Sequence, residues 1–110
     1  MLLFTKAQKA QLVANGASQD PFNKPIVKWF TADANCTWLI SEIDPNDNDM
    51  AFGLCDLGFG CPEMGSVYVP EVEALRGKFG LPVERDLHFT ADKTLVEYAN
   101  IARNEQRIVA

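Results

Sequence analysis

Apolar positions along the chain fall into short blocks whose spacing switches between a helical and an extended rhythm. The first block opens on Thr5-Lys6-Ala7-Gln8, a capping box in which the Thr hydroxyl and the Gln side chain satisfy free amides at a helix start. A helix over residues 6–15 would set Leu3, Ala7, Ala10 and Ala14 along one side, with Gly16 taking the left-handed ending. A polar connection containing Pro21 follows. Ile26-Val27-Lys28-Trp29-Phe30 is β-branched and aromatic and of strand length, and residues 31–35 suit a hairpin loop. Residues 37–43 predict a second strand, with Trp38, Ile40 and Glu42 on one face and Leu39, Ser41 and Ile43 on the other. The run 44–49 has turn chemistry, since Asp and Asn side chains mimic backbone hydrogen bonds and Pro45 fixes a torsion. Residues 50–57 and 64–69 predict two more strands, broken by a Gly- and Pro-containing segment at 58–62. In the first of them Phe52 and Leu54 alternate against Ala51, Gly53 and Cys55.

Pro70 can open a helix, because its missing donor is spare in the first turn; Val72, Leu75 and Phe79 would share a face, ended by Gly80. Residues 83–89 predict a fifth strand in which Val83, Arg85, Leu87 and Phe89 alternate with Glu84, Asp86 and His88. Thr94-Leu95-Val96-Glu97 is a second capping box, and Leu95, Tyr98, Ala99 and Ala102 follow the spacing of an amphipathic helix. The order is α-β-β-β-β-α-β-α. Short links between consecutive strands favour hairpins, so the expectation for residues 1–110 is a single α+β domain. Its sheet is mainly antiparallel, of four to five strands, with about three helices. Strand two is bulky on both faces, which calls for helices on both sides or a second chain on one. A homodimer stays open.

A chain of 110 residues that is 47% apolar can build a core without a metal or disulfide staple. Its net charge of −5 argues against direct nucleic-acid binding, which draws on clustered Lys and Arg. That charge is concentrated: residues 33–56 hold six acids and no base, while elsewhere nine acids meet ten bases. Such a stretch is either a solvated loop or a docking face for a basic protein partner, with Glu42, Asp44, Asp47 and Asp49 as the candidate surface. Three cysteines leave no closed disulfide framework, and no run reaches the roughly 20 apolar residues of a membrane span. The expectation is a cytoplasmic protein with no membrane association.

Candidate chemistry is sparse. The acidic turn lacks the Gly and the bidentate Glu of a calcium loop, having Asp49 and Cys55 there instead. Gly58-Phe59-Gly60 leads into a strand rather than a helix, so no dinucleotide fingerprint is formed. Cys55, Cys61 and His88 lack the paired spacing of a zinc site. No metal and no cofactor are expected. Glu84-Arg85-Asp86-Leu87-His88-Phe89 is the most suggestive stretch, since a carboxylate beside an imidazole orients it and raises its basicity. With Asp56 and Glu63 on neighbouring strands, Arg85, Asp86 and His88 would complete a candidate ligand site, the alternative being a plain exposed strand face. No catalytic residue is assigned.

Trp38-Leu39-Ile40-Ser41-Glu42-Ile43-Asp44-Pro45, Ala51-Phe52-Gly53-Leu54-Cys55-Asp56-Leu57-Gly58, Pro62-Glu63-Met64-Gly65 and the segment 80–89 together resemble one bacterial domain family of unknown function. The resemblance runs from Leu3 to about Arg103. It implies a short stand-alone protein of the kind associated with plasmids and other mobile elements, and it carries no activity and no catalytic residues. An accessory role is what it implies, in element maintenance or in countering host defences. The leading expectation is a non-enzymatic protein-binding module; the alternative is a small hydrolase-like enzyme or small-molecule binder.

Overall fold

The computed structural model describes residues 2–110. The order of elements is α1 (Lys6–Ser18), β1 (Val27–Thr31), β2 (Thr37–Asp44), β3 (Asp47–Asp56), β4 (Glu63–Tyr68), α2 (Val69–Ala74), β5 (Val83–Arg85) and α3 (Leu95–Glu105). The strands form one antiparallel sheet in the order β4-β3-β2-β1-β5. This is the α+β fold expected, with α1 and α2 on one face and α3 on the other. Helices therefore cover both sides of β2. Beneath α1 and α2 lie Leu12, Val27, Trp29, Trp38, Ile40 and Ile43, all nearly or wholly buried. Beneath α3 lie Leu39 and Leu54, packed against Leu95, Tyr98, Ala99 and Ala102.

Both capping boxes form as their residue types require. Thr5 Oγ1 accepts from the Gln8 amide while Gln8 Oε1 accepts from the Thr5 amide, and Thr94 and Glu97 repeat the exchange on α3. The buried face of α3 is the one its periodicity marks.

Helix α1 departs from its expectation twice. It runs past Gly16 to Ser18 and ends on Gln19, which takes the left-handed conformation at φ 50°. Its buried face is Leu12, Asn15 and Gly16, whereas Ala7, Ala10 and Ala14 face solvent. Gly16 explains the choice: a Cβ there would fall on the Ile43 carbonyl, so the missing side chain is what lets the helix lie directly on β2. Asn15 seals the contact, donating from Nδ2 to the Ser41 carbonyl at 3.0 Å.

Strand β2 also differs. A bulge between Ile40 and Glu42 shifts the register, so Trp38, Ile40 and Ile43 share one face while Leu39 and Glu42 share the other. The acidic turn shrinks to Pro45 and Asn46, because Asp44 pairs directly with Asp47 and β3 begins there. Strand β1 sits one residue later than expected.

Two later segments break early. Helix α2 stops at Ala74 instead of continuing to Phe79: Leu75 turns extended at ψ 139°, and the chain enters a narrow loop. Arg76 bridges Pro82 at its base, and the Gly77 amide donates to the Leu81 carbonyl at 2.9 Å. Asp33, from the β1–β2 loop, accepts the Phe79 amide at 2.7 Å, and a Cβ on Gly77 would fall on its carboxylate. That tertiary anchor outweighs the helical pattern. Strand β5 likewise ends at Arg85, since the Asp86 side chain accepts the His88 amide at 2.9 Å and closes an Asx turn.

Candidate functional site

Register decides what lies at the margins of the sheet. Strand β4 pairs with β3 alone and so forms one edge, where half of the backbone donors and acceptors point away from the sheet. Across the face under α2, Trp38 stands opposite Cys55 and Cys55 opposite Glu63; in the next row Gly53 stands opposite Gly65. Gly53 is closed over by the β2 backbone, where a Cβ would fall on the Leu39 carbonyl, whereas Gly65 leaves the β4 edge bare. A Cβ on Gly65 would meet nothing within 4 Å. The result is an open groove of about 650 Å³ between β4 and α2, floored by Trp38, Cys55 and Val67 and walled by Val72 and Leu75. Among the described residues, Glu63 and Glu71 are the only charged side chains along it. Leu57, 51% exposed, extends its apolar rim.

The acidic residues expected to form a surface divide by environment. Asp44, Asp47 and Asp49 are exposed at the β2–β3 hairpin, just beyond the point where Met50 meets Tyr68. Asp44 accepts the Asn46 amide and Asp47 the Asp49 amide, so two of the three also hold their own turn. Glu42 is half-buried and sits on the opposite face of the sheet from the groove, beside Phe52.

The five residues of the candidate ligand site do not share one place. Asp56 and Asp86 line a polar cavity of about 680 Å³ on the α3 face, together with Lys28, Cys36 and Arg107. Asp86 and the exposed His88 line a second hollow of about 490 Å³, near Asp92 and Tyr98. Glu63 lies at the groove, and Arg85 stands opposite Trp29 on the other face, donating to the Leu2 carbonyl at 2.9 Å. In the larger cavity Asp56 and Lys28 hold the C-terminal tail. Buried Asp56 accepts the Gly58 amide at 2.9 Å and the Ile108 amide at 3.0 Å; Lys28 donates to the Ala110 carbonyl at 2.8 Å and lies 3.8 Å from Asp86.

The cysteines are all free. Burial pushes the Cys55 thiol up to about 11, and burial followed by the nearby Asp56 charge raises Cys36 against the lowering effect of its Thr31 hydrogen bond. Neither is a thiolate at neutral pH. Among the described residues no group of three or more His, Cys, Asp or Glu side chains is placed to hold a metal ion, and no helix is long and apolar enough to cross a membrane.

The groove and the 76–82 loop were missed by periodicity, which marks buried faces but not sheet edges. One signal was present: Gly77 lies inside a stretch otherwise read as helix, where a glycine costs about 1 kcal/mol relative to Ala.

No curated protein and no solved structure matches the chain. A family model does match, over residues 3–109, and that near-complete span makes the chain a member of the family described as Protein of unknown function (DUF2958).

Proposed function

We propose that the chain is a non-enzymatic accessory protein that binds a protein partner along its acidic β4 edge, in the mobile-element maintenance or counter-defence setting that its resemblance implies. The observation that carries this reading is the groove itself. An edge strand with free backbone groups, next to an unfilled apolar channel, accepts an extended or loop segment of another protein. Glu63 and Glu71 on the channel, with Asp44, Asp47 and Asp49 beyond its Tyr68 end, select a segment carrying basic residues around an apolar anchor. The ligand-site alternative has less to draw on. Its residues are dispersed, and Asp56 and Lys28 in the polar cavity already hold backbone.

Gly65→Ile tests the reading, because a Cβ there meets nothing within 4 Å, the rest of the side chain occupies the groove, and a β-branched residue suits a strand. Affinity capture from lysate of the native host should yield a partner that wild type retains in low salt and loses in high salt. The Gly65→Ile protein, equally stable, should lose that partner. Retention of the same protein by Gly65→Ile would remove the groove from consideration.

A further inference from the structure

We infer that the groove's occupant is a second copy of this chain, whose 76–82 loop enters it; the inference rests on the groove being the docking surface. The loop has the properties of a docking element. It projects two apolar side chains into solvent, Phe79, 77% exposed, and Leu81, 45% exposed. It is also held in one shape: Arg76 bridges Pro82, the Gly80 amide donates to the Gly77 carbonyl at 3.0 Å, and Asp33 accepts the Phe79 amide. A loop fixed before contact loses little conformational freedom on docking.

Charge identifies the partner. Between Arg76 and Pro82 the loop carries two bases, Arg76 and Lys78, and no acid. The groove carries two acids, Glu63 and Glu71, and no base. Lys78 lies over the Phe79 ring at 5.8 Å, so an apolar anchor and a cation are presented together. An apolar channel with an acidic rim matches an aromatic tip with a basic rim, and both belong to one molecule. The net charge of −5 opposes indiscriminate association of copies, so the contact depends on this local match and weakens as salt screens it.

Light scattering of the full chain at high micromolar concentration and low salt decides the matter. The expected result is a mass above the 12.2 kDa of one chain, falling towards it in high salt. Lys78→Glu and Glu71→Lys, both at exposed positions, should each weaken association by about tenfold or more, since each sets like charges against one another. Mixing the two variants should restore a heteromeric species, because one interface then regains opposite charges. Phe79→Ser should abolish association with the fold intact by circular dichroism. A wild-type chain that stays at one-chain mass overturns the inference, as does association that persists in Phe79→Ser or a mixture that fails to recover. None of these results touches the lysate capture, which reads the groove against other proteins.

Discussion

The two faces of the sheet are built on different principles. Under α1 and α2, twelve buried apolar residues form one cluster that includes both tryptophans; under α3 the cluster has seven, with Phe52, Phe89 and Ala91 partly buried against it. The larger cluster is closed chiefly by burial, since each fully buried branched or aromatic side chain contributes about 1.5–3 kcal/mol, with the Asn15 and Trp29 hydrogen bonds added to it. The smaller one is completed by the C-terminal tail, which Asp56 and Lys28 hold at Ile108 and Ala110. The larger cluster therefore sets global stability, while the tail that completes the smaller one, held by a few bonds, opens locally. Perturbing each face in turn separates the two.

Trp29→Ala is the largest expected effect. The ring is fully buried, packs 6.3 Å from Phe4, and donates from Nε1 to the Leu3 carbonyl at 2.6 Å. Truncation leaves a cavity and an unpaired carbonyl, at a cost of about 4 kcal/mol. Urea unfolding should show a single transition at a much lower midpoint. A loss below about 1 kcal/mol would mean that the α1 face does not govern the fold.

On the opposite face Asp56→Asn should cost less and act locally. The amide side chain can accept from Gly58 or from Ile108 but no longer from both, a loss of about 1–2 kcal/mol. Hydrogen exchange should accelerate at the Ile108 amide and along residues 106–110, while amides of β2 keep their protection. Uniform acceleration across the sheet would show that tail and core open together, against the distinction drawn above.

What could be read from sequence follows the same division. The start and the buried face of helix α3 were legible, because a capping box and an amphipathic pattern are local and nothing tertiary opposes them. Element order was legible for the same reason. The faces of α1 and β2 were not. Ala7, Ala10 and Ala14 have apolar spacing, but Gly16 offers closer approach to β2 than any alanine, and Asn15 gains a buried partner only there. The bulge at Ser41 moves Ile43 from one side to the other through a register shift that alternation cannot announce. Of the candidate residues, the hairpin acids lie together as their spacing suggested, whereas Asp56, Glu63, Arg85, Asp86 and His88 depended on strand order and on β5 continuing to Phe89. Asp86 ends that strand with its own side chain.

The smallest effect expected is a pH response at the start of α3. Asp92 is held below the usual carboxylate range, first by its hydrogen bond from Lys93 and then by that from the Tyr98 hydroxyl. Glu97 is held below it as well, first by the Thr94 amide and then by the Thr94 hydroxyl. A carboxyl whose folded pKa is depressed adds stability above its unfolded pKa, and that contribution disappears as pH falls through the folded value. Acid should therefore loosen the first turn of α3 before it disturbs the tryptophan-bearing face. Far-ultraviolet ellipticity should decline at a higher pH than the fluorescence of buried Trp29 and Trp38 changes. Glu97→Gln separates the charge from the cap, because a Gln side chain can still accept the Thr94 amide and complete the box. Its stability at neutral pH should stay close to wild type while the acid decline in ellipticity becomes shallower, with Asp92 accounting for what remains. An acid profile indistinguishable from wild type would mean that protonation of Glu97 is not what loosens the helix, and that its end of the α3 face is held by packing of Leu95 and Tyr98 instead.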